Sequence, residues 1–512
     1  MLEPPCLSFG MMDQPHPTRP PVDVHGTVGN RFPAAFGRVL CVLPAGSAAR
    51  IIAAALLLTL SSAHAQQPAP VSDPTPYQRA IAAGYKAAML CSGIFNAGRT
   101  EQQVEADELR GIYPEYQAIL PQLKAEIEHG TGEVTVAWSD TLPPRRATYG
   151  TGIGCTNLPI GTPNARLGPD EIRIGPHQLR RGPSPAPWPA GDRRIAPRPT
   201  GPLRAAVTRV FDRATYGQGS ETTGVVVLRD GQVMAERYRD GFGPFTSNRT
   251  WSVAKSISGT LIGMAQLDPA KPASVPEWRS PLEIARGAIT IDHLLRMASG
   301  LHSDTAGNRT DAIYFGGTAV TEQATSWPLE AKPGTRFRYA NNDTLLAIRA
   351  LRAELGEERY GAFPATALFG PVGMRHTVAE RDWRGNYILS SQVWSTARDL
   401  ARLGQFWLQD GVWQGKRMLP EGWMRYMTTP SGPQPATGPG YGATLWLFGP
   451  KQGLPAGSYA AQGNRGQFVM VIPSERLVIV RRGEDPGAAR FDIARFSADV
   501  IAAVRQGSGG RP

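Results

Sequence analysis

Strand-like segments occur in two groups, which are separated by a long and mainly helical stretch of about residues 255–430. The first group is joined through Asp230-Gly231, a dipeptide that favours tight hairpin turns. Two early strands and three late strands predict one antiparallel five-stranded sheet, flanked by helices and carrying an inserted, mainly helical subdomain. The fold class is therefore predicted to be α+β. The strand segments are residues 223–228, 233–238, 443–448, 467–472 and 477–482.

Ser252 and Lys255 begin an apolar helical segment that follows the first strand pair. Residues three apart on a helix share a face, so the lysine amine comes within reach of the serine hydroxyl. A lysine activates such a hydroxyl when burial or a nearby cation lowers its pKa, and the start of a helix points N–H groups at an oxyanion. The alternative is an exposed helix start with a solvated lysine, because an isolated S-x-x-K arises easily by chance.

Tyr339 and Asn341 follow the turn residues Pro333-Gly334. Residues two apart in an extended segment point to the same side, which would bring the phenol and the amide together. A phenol beside an ammonium group has a lowered pKa and can relay protons, and an amide can hold both a lysine and a substrate carbonyl. The alternative is a surface aromatic residue followed by a turn asparagine.

Ser252-x-x-Lys255 followed by Tyr339-x-Asn341 resembles the serine β-lactamase and penicillin-binding protein superfamily. The similarity is greatest to the class C branch, with its esterase and 6-aminohexanoate-dimer hydrolase relatives. Residues 289–301 and 396–403 also resemble recurrent stretches of that branch. The resemblance covers roughly residues 203–505 and implies a β-lactamase/transpeptidase-like fold. It further implies a serine hydrolase that forms an acyl-enzyme on Ser252, with Lys255 and Tyr339 moving the protons.

The third motif of that family has Lys or His, then a small residue and Gly on an edge strand, and it is matched here at Asn464-Arg465-Gly466-Gln467. The resemblance implies that Gly466 lets substrate approach the backbone. It also implies that the N–H groups of Gln467 and Ser252 form an oxyanion hole. Asn464 departs from the pattern because its side chain is neutral, so weak recognition of a substrate carboxylate is expected. Arg465 restores a positive charge only if the strand bulges or twists locally, because neighbours on an extended segment point to opposite faces.

The N-terminal residues resemble an export signal. Arg50 precedes a short apolar run, and Ala63-His64-Ala65 forms a small-x-small cleavage site before Gln66. We interpret residues 1–65 as a pre-sequence with a signal peptide rather than as a buried core helix, and we expect a periplasmic or secreted protein. Residues 1–49 are Pro-rich and unusual ahead of such a signal, which suggests that translation starts later, near Val39 or Val42.

Cysteine usage follows from export. Cys91 and Cys155 remain after signal cleavage, and in an oxidising compartment they predict a disulfide, with two buried free thiols as the alternative.

Composition divides the chain into four predicted regions. These are the pre-sequence 1–65, a small N-terminal α/β unit of unassigned role at 66–175, a Pro-rich linker at 176–202, and a β-lactamase-like serine hydrolase domain at 203–512.

Several other readings of the sequence are disfavoured. The net charge is +11, but the chain lacks a dense run of Lys and Arg with interleaved aromatic residues, so a nucleic-acid partner is not expected. The spacing of His and Cys predicts no metal site, and no cofactor is implied. No stable membrane span is expected after signal cleavage. His293 and His302 are interpreted as structural, and Trp251 and Trp394 are candidates for the pocket wall, with core packing as the alternative.

The expected partner is a small-molecule amide or ester. Hydrolysis of the kind performed by 6-aminohexanoate-dimer hydrolase is the closest functional match that the resemblance offers. Carboxylesterase, β-lactamase and D-alanyl-D-alanine peptidase activities are the alternative enzyme hypotheses. A non-catalytic envelope binding protein on the same fold is the alternative of another class. The presence of Ser252, Lys255 and Tyr339 together argues against it.

Overall fold

The computed structural model describes residues 73–163, 183–193, 195, 197–280, 284–303 and 310–508. The predicted pre-sequence, both ends of the predicted N-terminal unit (66–72 and 164–175) and the first part of the predicted linker lie outside these ranges. The α-helices are Pro76–Cys91 (α1), Glu101–Asp107 (α2), Pro114–Gln117 (α3), Gly201–Arg209 (α4), Val253–Met264 (α5), Ile284–Gly287 (α6), Ile291–Leu295 (α7), Asp311–Tyr314 (α8), Val320–Gln323 (α9), Asn341–Tyr360 (α10), Gly370–Val372 (α11), Ala397–Leu408 (α12), Trp423–Thr428 (α13) and Ile493–Ser508 (α14).

Sixteen strands are named in chain order. They are Ala125–Glu128 (β1), Glu133–Val136 (β2), Arg145–Gly150 (β3), Gly154–Asn157 (β4), Thr222–Arg229 (β5), Gln232–Tyr238 (β6), Asn248–Arg249 (β7), Val378–Ala379 (β8), Val393–Ser395 (β9), Val412–Trp413 (β10), Lys416–Arg417 (β11), Gly440–Tyr441 (β12), Trp446–Phe448 (β13), Ser458–Gly463 (β14), Gln467–Ile472 (β15) and Leu477–Gly483 (β16).

The central sheet is antiparallel and has the strand order β12-β13-β14-β15-β16-β5-β6. Early and late strands thus meet at the β16–β5 pair, as the sequence predicts. The sheet has seven strands rather than five. The predicted strand 443–448 is interrupted at Thr444, whose φ is 66°, so that only its second half forms a strand, β13. β13 pairs with the short strand β12, which precedes the predicted segment. β14 was not predicted, because its small residues lack the β-branched and aromatic character that marks strands.

Side chains of the central sheet alternate between two hydrophobic layers. On one face, Val469, Val478 and Val480 belong to the larger core, which includes helices α5 and α12. On the other face, Met470 and Ile479 pack with helices α4 and α14. The sheet is therefore covered on both faces, and α5 is held rigidly against one of them.

Residues 73–163 form a helix-and-sheet unit of their own. Helix α1 packs on an antiparallel four-stranded sheet with the order β1-β2-β3-β4. A disulfide joins Cys91 at the end of α1 to Cys155 on β4, with the two Cα atoms 6.1 Å apart, as the sequence predicts. The sequence spacing of Ile119, Leu123 and Ile127 is typical of a helix, but this prediction is wrong at Ile127, which pairs with Val134 between β1 and β2.

The N-terminal unit and the described residues from 203 to 508, here called the larger unit, share one continuous hydrophobic core, which includes Tyr85 and Phe315 in edge-to-face contact. Part of the predicted linker also packs on the larger unit. The Arg402 guanidinium donates to the carbonyl oxygens of Pro189 and Gly191, at 2.9 and 2.8 Å. In the part of the chain that the structure describes, no helix combines the length and apolar character needed to cross a membrane.

Candidate active site

Ser252 lies at the N-terminal end of α5, directly after a sharp turn. Arg249 ends β7, which pairs with β9 through Trp394. Trp251 then adopts the left-handed conformation, with a φ of 50°. This turn redirects the chain from strand to helix, so that the Ser252 side chain faces an open cavity of ≈ 920 Å³. Ser252 is the N-cap of the helix, which places the first helical N–H groups beside its hydroxyl.

Lys255 lies one turn further along α5 and is 1% exposed. Its Nζ donates to the Ser252 Oγ at 3.0 Å and to the Ser390 carbonyl oxygen at 2.9 Å. It also donates to Asn341 Oδ1. Burial, with a smaller contribution from the Arg249 guanidinium, lowers the pKa of Lys255 to about 7. The amine is therefore poised to exchange a proton near neutral pH, which is the condition that the sequence argument required.

Tyr339 completes this group from the opposite side. Its phenol hydrogen-bonds to Ser252, and its ring centroid lies 5.1 Å from the Lys255 Nζ. Burial raises the pKa of the Tyr339 phenol, and the hydrogen bond to Ser252 offsets this only in part. The expectation of a lowered pKa is therefore wrong, because the desolvation of the phenolate outweighs the stabilisation expected from the lysine. Tyr339 is a neutral phenol at physiological pH.

Asn341 is the first residue of α10, and Ala340 before it is extended. The Asn341 amide accepts from Lys255 through Oδ1 and donates to Thr310 Oγ1 through Nδ2, at 3.3 Å. The side chain therefore orients the lysine, as the sequence suggests. Asn341 also lines the cavity that Ser252 faces.

The predicted third motif forms the turn between β14 and β15. Gly463, Asn464 and Arg465 line the cavity. A Cβ atom at Gly463 would lie 3.1 Å from the Ser252 nitrogen and 2.3 Å from the Thr250 carbonyl oxygen. The glycine that stands against the serine is therefore Gly463, three residues before the predicted Gly466.

Arg465, Gly466 and Gln467 make contacts with residues other than Ser252. The Arg465 guanidinium is buried and lies 3.0 Å from the Glu484 carboxylate, so its charge is already balanced. Gly466 packs on the Arg481 side chain, which a Cβ atom would overlap at 1.6 Å. The Gln467 side chain is buried and accepts from Arg482 at 2.7 Å. These contacts show that the turn is built for close packing behind the cavity.

The histidines and tryptophans that the sequence singled out lie either in structural positions or at the cavity. His293 caps the start of α7 by accepting from the Thr290 N–H, and His302 pairs with Glu330. Trp251 lines the cavity, whereas Trp394 is fully buried in the core. No cluster of His, Cys, Asp and Glu able to hold a metal ion occurs within the described ranges.

Several cavity residues were missed because they belong to no motif with a fixed sequence spacing. The N-terminal unit contributes a stretch of the wall, and the late part of the chain contributes another. Their place at the cavity follows from tertiary packing, which a spacing argument cannot reveal. The missed residues are Gly111, Ile112, Tyr113, Pro114, Gln117, Asp311, Tyr314, Ser391, Trp446, Gln462, Gly463, Gly487, Ala488 and Arg490.

Comparisons with known proteins agree with this geometry. The sequence profile of the Beta-lactamase family matches residues 207–487. A 6-aminohexanoate-dimer hydrolase from Paenarthrobacter ureafaciens is 30% identical over 334 residues, which cover 59% of this chain and 83% of the relative. A Bacillus anthracis protein provisionally named as a 6-aminohexanoate-dimer hydrolase has a similar fold, with a TM-score of 0.50 and 20% identity over 60% of this chain and 82% of its own. The chain therefore belongs to the beta-lactamase family of serine hydrolases.

Proposed function

We propose that the protein is an exported serine hydrolase that cleaves an amide or ester through an acyl-enzyme on Ser252. The observation on which this rests is the contact between the Lys255 amine and the Ser252 hydroxyl, at 3.0 Å. The lysine is buried and its pKa is lowered to about 7, so a substantial fraction of it is an unprotonated amine at neutral pH.

The geometry supports a two-step reaction. Lys255 takes the proton from the Ser252 Oγ as that oxygen attacks the carbonyl carbon of the substrate. The Tyr339 phenol, which is hydrogen-bonded to Ser252, passes a proton to the departing amine or alcohol, and the bond to the leaving group breaks. The Lys255 ammonium then returns a proton to the Tyr339 oxygen, so that both groups are neutral in the acyl-enzyme. Water attacks the acyl carbon while Lys255 takes its proton. The bond from the acyl carbon to the Ser252 Oγ breaks, Oγ recovers that proton from Lys255, and the free acid is released.

Backbone N–H groups supply the charge stabilisation in this proposal. Ser252 is the N-cap of helix α5, and Gly463, the residue before Asn464, lies directly beside the Ser252 nitrogen. We assign the oxyanion hole to the Ser252 N–H and the Asn464 N–H, in place of the Gln467 N–H that the sequence suggested. Donors that are fixed before the reaction stabilise a developing oxyanion without reorganisation.

The proposed substrate class follows from the cavity and the relative. The curated relative is a 6-aminohexanoate-dimer hydrolase, and we carry amide hydrolysis over to this chain as the main hypothesis. Asn464 lines the cavity with a neutral amide, and Arg465 is neutralised by Glu484. A linear amide or ester without a carboxylate beside the scissile bond therefore fits better than a penicillin or a peptidoglycan stem.

Export is supported by the disulfide between Cys91 and Cys155, because such bonds persist in oxidising compartments. We therefore propose a periplasmic or secreted location. Mass spectrometry of the mature protein tests this directly. A first residue at or near Gln66 is expected, and a mature N-terminus that retains the apolar run 51–60 contradicts signal cleavage.

A serine-reactive fluorophosphonate tests the nucleophile. The wild-type protein is expected to be labelled on the peptide that contains Ser252, and Ser252→Ala is expected to lose both the label and turnover of p-nitrophenyl acetate. Ser431→Ala is the matched control, since Ser431 is exposed and is not among the residues that line the cavity. Wild-type turnover by a folded Ser252→Ala variant rules out the assignment, as does labelling at another serine.

A further inference from the structure

The N-terminal unit lies outside the matched family region, which begins at residue 207. Nevertheless, residues 111–114 and Gln117 line the same cavity as Ser252. We propose that residues 110–117, here called the wall segment, form part of the substrate site, and that Tyr113 selects substrates by the bulk of an apolar alkyl or aryl group. This inference rests on the proposed function of Ser252, and it gives the N-terminal unit a role in specificity.

The wall segment is fixed to the late part of the chain by backbone contacts. Arg465 Nη2 donates to the Arg110 carbonyl oxygen at 2.9 Å, and the Gly487 N–H donates to the Gly111 carbonyl oxygen at 2.8 Å. Gly111 has a φ of 67°, and a Cβ atom there would lie 2.8 Å from the Pro486 Cβ. The turn at Gly111 therefore permits an approach that other residues would block.

Ion pairs of the residues just before the wall segment also hold it against the larger unit. Glu108 is fully buried; its Oε1 accepts from Arg99 at 2.8 Å, and its Oε2 lies 3.8 Å from the Arg465 guanidinium. Arg239 of the larger unit also pairs with Asp107. Separating charges of this kind would leave a buried group without its partner, which is strongly unfavourable. The wall segment is therefore a fixed surface of the cavity.

A second anchor holds the other end of the segment. The Tyr116 hydroxyl donates to the Asp311 carboxylate, which lines the cavity. The Tyr113 ring packs edge-on against the Tyr116 ring, with centroids 5.7 Å apart. Because Tyr116 is anchored, this contact sets the position of the Tyr113 ring at the cavity wall.

The chemistry of the walls indicates the kind of group that fits. Ile112, Tyr113 and Pro114 line the cavity from the N-terminal unit, and Trp251 and Trp446 line it from the larger unit. Apolar and aromatic walls of this kind bind apolar groups by burying their surface. We therefore assign to this region an alkyl chain or aryl ring of the substrate. A change in the size of the Tyr113 side chain should alter the length of chain that the cavity admits.

The experiment measures kcat/KM for p-nitrophenyl acetate, butyrate, octanoate and benzoate with the full mature protein. Tyr113→Ala is expected to raise the ratio of octanoate to acetate on the order of 10-fold, and Tyr113→Trp is expected to lower it by a similar factor, because pocket size discriminates chains by this amount per methylene or more. Tyr77→Ala is the matched control, as Tyr77 belongs to the same unit and is 58% exposed. It is expected to leave the ratio unchanged.

The outcomes separate this inference from the proposed function. If Ser252→Ala abolishes turnover while both Tyr113 variants keep the wild-type ratio, the wall segment has no role in specificity and the inference fails alone. If Ser252→Ala keeps turnover, the proposed function fails first. A purely structural role for Tyr113 would lower kcat/KM by one factor for all four esters and reduce the Tm, and this result also overturns the inference. If Tyr113→Ala does not fold, the inference is tested by the ratio of kcat/KM for octanoate to that for acetate in Tyr113→Trp.

Discussion

Gly463 lies against the backbone of Ser252, so closely that a Cβ atom at Gly463 would stand 3.1 Å from the Ser252 nitrogen. The same atom would lie 2.3 Å from the Thr250 carbonyl oxygen, a separation that real Cβ atoms do not reach. Both neighbours are backbone atoms, which cannot rotate away as a side chain would. The distance between β14 and the start of α5 thus depends on the absence of a side chain at Gly463.

We predict that Gly463→Ala strongly reduces kcat and has a smaller effect on the free energy of unfolding. The methyl group would push β14 away from the start of α5 and misplace the proposed oxyanion donors. Loss of one such donor costs about 10²–10³-fold in kcat, and a fall of at least 10-fold is expected here. The measurement is kcat for p-nitrophenyl acetate together with the Tm.

Gly449→Ala is the matched control for that prediction. Gly449 has an extended backbone with a φ of −173°, and a Cβ atom there would meet nothing within 4 Å. Its kcat is expected to equal that of the wild type. Equal kcat values for the two glycine variants would show that the Gly463–Ser252 contact does not matter for the reaction.

The third motif shows why a site can be predicted in outline and misplaced in detail. The sequence places a glycine near residue 466, and both Gly463 and Gly466 satisfy a pattern of small residues next to a strand. Positive φ values of 56° and 78° at Arg465 and Gly466 turn the chain, so that Gly466 faces Arg481 rather than Ser252. Which glycine meets the serine depends on hairpin register, which short-range sequence patterns do not determine here.

The parts of the fold that were predicted correctly have strong local signals. The β5–β6 hairpin turns through Asp230 and Gly231, both with positive φ, as the Asp-Gly pair predicts. Ser252 and Lys255 meet because helix geometry fixes residues three apart. The raised pKa of Tyr339 was not foreseen, because it depends on burial by residues distant in sequence. Tertiary burial likewise decides which residues of the N-terminal unit reach the cavity.

We predict that kcat/KM rises with pH through a limb near pH 7. Lys255 accepts a proton only as the neutral amine, and its pKa is lowered from 10.5 to about 7. Below that pH the ammonium form predominates and the base is lost, whereas above it the amine is free to act. The measurement is kcat/KM for an uncharged ester between pH 5 and pH 9. A rate that stays constant from pH 5.5 to pH 8 contradicts this assignment.

The lowered pKa of Lys255 has a second cause, the Arg249 guanidinium, and this cause can also be tested. Burial is the main cause of the lowered pKa, and repulsion by the Arg249 guanidinium is the smaller one. Arg249→Met removes the repulsion, so the Lys255 pKa should rise and the acidic limb should move to higher pH. Arg249→Lys retains a positive charge and is the matched control, with a limb close to that of the wild type. If Arg249→Met leaves the pH of the acidic limb unchanged, Arg249 does not contribute to the lowered pKa of Lys255.

We predict that loss of the Cys91–Cys155 bond destabilises the protein. The bond closes a loop with a sequence separation of 64. In the chain-entropy account, a loop of this length stabilises the folded state by about 4 kcal/mol, because it restricts the unfolded chain. The double variant Cys91→Ser, Cys155→Ser should therefore unfold at lower urea concentration, with wild-type protein in reductant as the comparison. Free alkylation of both thiols in native, unreduced protein would show that the bond is absent.

The final prediction concerns substrate choice at Asn464. This side chain is exposed at the cavity, and its Oδ1 accepts from the Arg465 N–H at 2.9 Å. It offers no charge to a substrate carboxylate, and a charge-assisted hydrogen bond is roughly twice as strong as a neutral one. We therefore expect weak hydrolysis of cephalosporins and penicillins and better turnover of short amides or esters that lack the carboxylate.

A cation at position 464 should change this preference toward substrates that carry a carboxylate. Asn464→Lys is expected to raise kcat/KM for a cephalosporin relative to p-nitrophenyl butyrate on the order of 10-fold, as one charge-assisted contact of about 1.5 kcal/mol would provide. Asn464→Met has a similar length without the charge and should leave the ratio near that of the wild type. If the wild-type protein already prefers the cephalosporin, a cation must act from elsewhere in the cavity. Arg490 is then the residue to substitute, because it lines the cavity and is exposed, whereas Arg465 is held by Glu484.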